Sequence, residues 1–275
     1  MRAARLLVAI ATAVGVALPA TAAEAAPGIQ AFQRTVGTAW WQEPAGGRLT
    51  VSLDDTVSAA TAAGLSRAVS RAGGAVQREP GVLRKHIAGA DPFFGAAGGR
   101  CLIGFNARAL PDYYFLTSAH CVGAVGGTVY ADAAHTVALG TVATRNAGYD
   151  YALVRYTNTT IAKPSAVDLH NGTLAPITSF GTGYVGQTVT RSGATGVRTG
   201  RITALNATVN YADGTVYGLI RTSVCSEPGD SGGPLFSGAV GLGMTSGGSG
   251  NCTSGGTTYF ASAARAANAY GVAPY

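Results

Sequence analysis

The sequence predicts an all-β fold for the larger, C-terminal part of the chain, and two observations carry that expectation. From residue 87 onwards short apolar runs recur at 113–117, 136–140, 151–156, 187–191, 217–222 and 239–245, separated by turns of Gly, Asn and Asp. The 275 residues also include 40 glycines and are 47% hydrophobic but only 12% charged, which excludes a coiled coil or a charge-rich disordered chain and supplies material for a core. Regular short runs of this kind suggest a barrel or a sandwich. Only residues 261–270 in this part read as a helix, and neither an internal repeat nor a low-complexity linker is evident.

Nineteen basic residues against thirteen acidic give a net charge of +6, but the charges are spread out. Residues 1–26 carry two basic and one acidic residue, 27–86 seven and four, and 87–275 ten and eight, so the C-terminal part is only +2. That field is too weak to argue for nucleic-acid binding.

The N-terminus reads as a signal peptide over residues 1–26. Arg2 and Arg5 precede an apolar run at 6–18, and the small residues Ala20-Thr21-Ala22 and Ala23-Glu24-Ala25 suit a signal peptidase. The run is too short to span a bilayer comfortably, and no later segment reaches 18 apolar residues. The expectation is a secreted, extracellular protein with no membrane association once the signal is removed; a retained anchor is the alternative.

Residues 27–86 have a different texture. Trp40 and Trp41 precede the turn signal Glu43-Pro44-Ala45-Gly46-Gly47, and residues 48–53 then alternate as a strand, so a hairpin is expected. Asp54 or Asp55 is the expected cap of a helix carrying Val57, Ala60, Ala63, Leu65, Ala68 and Val69, ended by Gly73-Gly74. Such a small hairpin-plus-helix unit has little surface to bury alone.

Export changes what the four cysteines mean. Cys101, Cys121, Cys225 and Cys252 lack a Cys-x-x-Cys spacing and face an oxidising destination, which favours disulfides over zinc. Of the three connectivities, Cys101–Cys121 with Cys225–Cys252 is preferred because each pair is close in sequence. No metal site is expected: His86, His120, His135 and His170 show no ligand spacing, and His135 and His170 read as loop or surface residues. No cofactor motif is present.

The most informative segment is Gly229-Asp230-Ser231-Gly232-Gly233-Pro234. A serine hydroxyl is a poor nucleophile until a base takes its proton, and small flanking residues let a carbonyl approach while backbone N–H groups of Gly229 and Ser231 turn to an oxyanion. Leu116-Thr117-Ser118-Ala119-His120-Cys121 supplies a histidine at the end of an apolar strand, and Tyr149-Asp150-Tyr151-Ala152-Leu153-Val154 a carboxylate at the start of another. Each alone has a plain structural explanation; together, in the order His, Asp, Ser, they match the order of one known catalytic triad. The serine-first order and Gly-x-Ser-x-Gly elbow of the α/β-hydrolases do not fit.

These segments resemble the chymotrypsin-like serine proteases, most closely the short bacterial branch of the streptogrisins and α-lytic protease. The resemblance continues in Leu205-Asn206-Ala207-Thr208-Val209-Asn210-Tyr211 and in Thr245-Ser246-Gly247-Gly248-Ser249-Gly250-Asn251-Cys252, and covers essentially all of 87–275. It implies two perpendicular six-stranded antiparallel β-barrels with a C-terminal helix, preceded by a small α/β pro-segment over 27–86. It implies catalytic roles for His120, Asp150 and Ser231, and an oxyanion hole from Gly229 and Ser231. Ser246 is implied to bond the catalytic aspartate, and Ser246, Gly247 and Gly248, with Ser226 and Thr258, to bind substrate. An internal arginine in this branch pairs with the aspartate before the nucleophile, which here implies Asp230–Arg191.

The same resemblance implies a pro-segment that aids folding and inhibits until removed, with the mature chain, a monomer acting on peptides and proteins, beginning near Ile87 after a cut by itself or another protease at Arg84-Lys85-His86. Ser223 stands where trypsin-like members carry an aspartate, and Thr245 where glutamate-preferring members carry a histidine, so large apolar or aromatic P1 residues are expected. Glu227 lies close to the nucleophile, and the resemblance implies that it faces away from the pocket. A binding protein that has lost catalysis and a secreted esterase are the competing classes. Asn-x-Thr sites at Asn158, Asn171, Asn206 and Asn251 carry little weight, because 17 arginines against two lysines suggest a high-GC bacterial source.

Overall fold

The computed structural model describes residues 28–44, 46–83, 90–96, 99–159 and 161–275. The expected signal peptide 1–26, the stretch Arg84-Lys85-His86 and the expected mature start at Ile87 lie outside the described residues.

Side chains alternate across a strand, and β1 (Thr38–Gln42) uses this to serve two cores. Trp40 packs into the N-terminal unit with Leu49, Val51, Leu65 and Val69, while Trp41 and Ala39 join the core of the larger part. β1 forms the expected hairpin with β2 (Leu49–Leu53), closed by the Glu43 N–H donating to Arg48 O at 2.8 Å. The helix α1 (Ala59–Arg71) buries Ala62, Leu65, Ala68 and Val69 on one face. Its cap corrects the expectation: Ser58 Oγ accepts the Thr61 N–H at 3.1 Å. Asp54 is occupied elsewhere, accepting N–H groups from Thr56 and Leu83 at 2.9 and 2.7 Å. Gly37 makes room for that carboxylate; its φ is +80° and a Cβ there would overlap Asp54 Oδ1. After α1 the chain returns as β3 (Ala75–Arg78), parallel to β2, so the unit contains a βαβ crossover beyond the hairpin and helix.

The next seven strands, β4 (Pro92–Phe94), β5 (Arg100–Leu102), β6 (Phe105–Ala109), β7 (Asp112–Thr117), β8 (Thr128–Tyr130), β9 (Ala138–Asn146) and β10 (Tyr151–Tyr156), form one sheet ordered β5-β4-β8-β9-β10-β7-β6. Phe93, Phe115, Val142, Ala152 and Val154 fill it. The count exceeds the expected six because residues 92–102 fold back as their own short hairpin.

A two-stranded ribbon, β11 (Ala166–Asp168) with β12 (Leu174–Pro176), follows. Then come β13 (Ser179–Phe180), β14 (Thr188–Gly193), β15 (Gly196–Tyr211), β16 (Gly214–Thr222), β17 (Pro234–Ser237), β18 (Val240–Asn251), β19 (Gly255–Ser262) and α2 (Ala263–Tyr270). Six of these close a ring, β14-β17-β18-β19-β16-β15 and back to β14, around Val189, Ile202, Leu235, Leu242 and Phe260. A further core fuses the two sheets: Phe105, Leu116 and Leu153 from the first meet Met244 and Tyr259 from the second and Ala263 and Ala266 from α2. The fold is therefore mostly β with a double barrel and a C-terminal helix, as expected from the sequence.

The N-terminal unit extends the second barrel. β1 pairs antiparallel with β15, with Thr38 opposite Asn210 and Trp40 opposite Thr208. Both disulfides take the preferred pairing, Cys101–Cys121 and Cys225–Cys252, with Cα separations of 5.8 and 5.1 Å. No described helix is long and apolar enough to cross a membrane.

Candidate active site

β7 ends at Thr117, and the chain turns through a single 3-10 turn (Ala119–Cys121) that holds His120 at the seam between the sheets. Two contacts fix this turn. Cys121 is tied to Cys101, and Ser118 Oγ donates to Thr245 O at 2.8 Å, joining the histidine turn to β18. Asp150 immediately precedes β10, whose residues Ala152 and Leu153 pair with Thr117 and Leu116. Neighbouring strands therefore bring His120 and Asp150 together although 30 residues separate them.

Ser231 sits on the loop entering β17. Its carbonyl accepts the Leu102 N–H at 2.9 Å, and Gly232 N–H donates to Thr245 O at 2.9 Å, so the loop is stitched to both sheets. Gly232 has φ +81°, and a Cβ there would overlap Thr117 Oγ1. The glycine is needed for the backbone to pass that close.

The result is one continuous polar chain. His120 Nε2 lies 2.8 Å from Ser231 Oγ, His120 Nδ1 lies 3.0 Å from both carboxylate oxygens of Asp150, and Ser246 Oγ donates to Asp150 Oδ2 at 2.6 Å. Asp150 also accepts the His120 backbone N–H at 3.0 Å. Asp150 and Ser231 are fully buried. Among the described residues, the N–H groups of Gly229 and Ser231 have no internal acceptor, whereas those of Asp230, Gly232 and Gly233 each have one. Two free donors thus flank the serine hydroxyl, Gly229 adopting a φ of +113°.

Under the loop lies the pair expected between Asp230 and Arg191, 2.6 Å apart with both side chains fully buried. Asp230 also accepts N–H groups from Ala194 and Glu227 at 2.9 and 2.8 Å, and Arg191 Nε donates to Cys225 O at 3.0 Å. Burial pulls the Arg191 guanidinium below its ordinary pKa, opposed by the neighbouring carboxylate.

Comparison with known proteins agrees with this geometry. The family model of the trypsin-like peptidase domain matches residues 104–241. Serine protease 2 from Streptomyces fradiae is 52% identical over 176 residues, covering 62% of this chain and all of that one. Streptogrisin-D from Streptomyces griseus is 45% identical over 242 residues, 86% of this chain; the match spans 60% of streptogrisin-D. The solved structure of alpha-lytic protease homolog N4 superposes with a TM-score of 0.62 at 42% identity, over 69% of this chain and all of that one.

This chain belongs to the trypsin-like peptidases.

The remaining expected residues of this trypsin-like peptidase fall on two adjacent strands and the nucleophile loop. Ser246, Gly247 and Gly248 lie on β18, and Gly248 pairs with Thr258 of β19. Thr258 Oγ1 donates to Val224 O at 2.7 Å and lies 2.8 Å from the buried Ser226 hydroxyl. Ser223 is exposed and accepts the Arg201 N–H at 3.1 Å, while Thr245 is buried and donates to Gly233 O at 3.1 Å. The carboxylate of Glu227 is engaged by the Cys252 N–H at 2.7 Å, at the second disulfide. Cys101, His120 and Cys121 also cluster, but both sulfurs are consumed in the disulfide, so the cluster offers no thiolate for a metal.

Further residues surround this constellation without a sequence signal of their own. Ser118 holds the histidine turn, and Tyr211 donates to Ser246 Oγ at 3.4 Å. Arg145 and Asp213 line, with His120, a hollow of about 330 Å³ beside the histidine. Ser118 lies inside the histidine motif and was within reach; the others depend on strand pairings that no local pattern specifies.

Proposed function

We propose that this chain is a secreted serine endopeptidase, made as a prepro-precursor and acting through an acyl-enzyme on Ser231. The observation that carries the reading is the unbroken chain Ser246–Asp150–His120–Ser231 ending beside two free N–H donors. As Ser231 Oγ bonds to the scissile carbonyl carbon, its proton passes to His120 Nε2. Asp150 holds the proton of Nδ1, which fixes the imidazole's tautomer and stabilises the cation formed. The carbonyl oxygen becomes an oxyanion facing the Gly229 and Ser231 N–H groups, a stabilisation worth about 3 kcal/mol per donor in comparable sites. His120 then gives its proton to the leaving amine as the C–N bond breaks, and water repeats the cycle to free the acid.

Substrate binding follows from β18. A peptide laid antiparallel on Ser246–Gly248 gains main-chain hydrogen bonds by strand addition. Ser226 and Thr258, which the family resemblance assigns to this surface, carry no charge, and Glu227 is turned to the Cys252 amide. Large apolar or aromatic P1 residues suit such a surface.

Residues 27–86 act in this reading as the pro-segment, aiding folding and covering the groove until it is cut away near Ile87, after removal of a signal over 1–26. Strand pairing of β1 with β15 and the contact of Glu79 with Ser249 on β18 support this role.

The decisive experiment is labelling of the secreted protein with a fluorophosphonate probe, followed by peptide mass spectrometry, with Ser231→Ala as control. Modification of Ser231 alone, absent from the variant, is expected. No modification of a processed, disulfide-bonded chain would overturn the reading in favour of a binding protein. The same material gives its N-terminal sequence, expected near residue 87; a start before residue 60 would contradict the assigned pro-segment.

A further inference from the structure

The substrate-binding strand continues past Gly248, and its next residue meets a charge with an unusual setting. Ser249 Oγ donates to Glu79 Oε2 at 3.1 Å, and the other oxygen of Glu79 accepts from Arg221 Nη2 on β16. Arg221 and Glu79 are almost wholly buried together, with side-chain exposures of 13% and 9%. The segment that brings Glu79 lies tight against the strand: a Cβ on Gly81 would stand 2.9 Å from the Gly250 nitrogen. Arg221 is held in place by the C-terminal part itself, donating to Thr203 Oγ1 at 3.0 Å and Thr257 Oγ1 at 3.5 Å. Its other cover is the Trp41 ring, 4.3 Å from the guanidinium carbon and also on the N-terminal segment.

Removing residues 27–86 therefore takes away both the carboxylate and the aromatic lid, and leaves a guanidinium oriented by two threonines with no acidic partner. Among the described residues Glu79 is the only ion-pair partner of Arg221. A partly buried cation stripped of its counter-ion is costly, and a carboxylate in the same place regains charge-assisted hydrogen bonds.

Antiparallel register identifies where that carboxylate comes from. With P1 opposite Ser246, P3 stands opposite Gly248 and P4 opposite Ser249. We propose that Arg221 and Ser249 form a carboxylate-binding subsite that Glu79 fills in the precursor and an acidic P4 residue of the substrate fills in the processed enzyme. The subsite rests on the endopeptidase reading and on the departure of the N-terminal segment. It gives this chain a second specificity determinant, cationic and remote from the bond cut.

The test measures kcat/KM of the processed, secreted enzyme on three peptides that share one P1 residue and differ only in Glu, Gln or Lys at P4. The expected ratio for Glu over Gln is about tenfold, falling to about one in Arg221→Gln. Because Arg221→Gln also removes a contact to the N-terminal segment, the double variant Glu79→Arg with Arg221→Glu keeps an ion pair during folding. Its preference is expected to reverse towards Lys. Ratios within one preparation are independent of how much of it has folded. A wild-type ratio near one, or a Glu preference that survives Arg221→Gln, would overturn the subsite while leaving an active peptidase. Cleavage of none of the three would reject the endopeptidase reading, and the subsite with it.

Discussion

Asp150 meets two demands at one position. Its backbone lies in the left-handed region, φ +53°, which most side chains avoid, and its carboxylate is fully buried between His120 and Ser246. Asp and Asn tolerate that backbone best, so Asp150→Asn isolates the second demand. The amide keeps the local conformation but presents a donor where His120 Nδ1–H needs an acceptor. A fall in kcat of about 10⁴-fold is expected from steady-state kinetics, with the circular-dichroism spectrum of the folded chain retained. Asp230 poses the complementary case. A Cβ on Gly193 would overlap both Arg191 Nη1 and Asp230 Oδ1, so the pair occupies space that only a glycine leaves open. Arg191→Met would strand a buried carboxylate, and denaturant unfolding should show a loss of about 3–5 kcal/mol. The same change should lower kcat, since Asp230 braces the loop that aims the Gly229 and Ser231 N–H groups. An unchanged midpoint with unchanged kcat would show the pair to be dispensable.

Elements differ in how much of themselves they display in sequence. β10 and the C-terminal half of β7 are buried and read as apolar runs, and the two strands carry Asp150 and His120 at their ends, so both positions stand out locally. β3 has only four residues, Ala-Val-Gln-Arg, without alternation, and shows itself only through its pairing with β2. β15 runs through 16 residues with register shifts between Ile202 and Ala204, Ala204 and Ala207, and Ala207 and Val209, and each shift moves the side chains out of a two-residue period. Asp54 has the local signature of a helix cap, yet its carboxylate accepts the N–H groups of Thr56 and of Leu83, the latter 29 residues away. Glu79 and Arg221 are 142 residues apart, and nothing local marks either as half of a pair. β1 is the element on which the N-terminal unit's docking turns, sandwiched between β2 and β15. Ala39→Pro should remove a ladder hydrogen bond at its centre and push against its neighbours. The expected outcome is at least tenfold weaker inhibition by the separately added 27–86 segment, read as a shift in its inhibition constant on the processed enzyme.

At the scale of the whole molecule, the second barrel is built of hairpins between consecutive strands, but closing it requires the β14–β17 and β16–β19 pairings, which join residues far apart in the chain. Loop-closure entropy opposes such assembly until late, so folding of this topology is intrinsically slow. The N-terminal unit is placed to change that. It has its own core around Trp40, Val51, Leu65 and Val69, and it offers the edge of β1 to β15 while Ser52 reaches Tyr259 of β19 at 3.4 Å and Glu79 bridges β16 and β18. The unit thus touches both the β15–β16 and the β18–β19 hairpins, whose mutual pairing through β16 and β19 is the long-range step, and this lowers the entropy of bringing them together. Processed enzyme unfolded with its disulfides intact should therefore recover activity slowly by itself, and at least tenfold faster when residues 27–86 are added in trans. Glu79→Gln in the added segment separates templating from mere coverage. If the ion pair to Arg221 helps gather β16 and β18, the variant accelerates refolding less than the native segment at saturating concentration. Equal acceleration would instead place the template in the β1–β15 ladder alone, and recovery independent of any added segment would remove the folding role from residues 27–86.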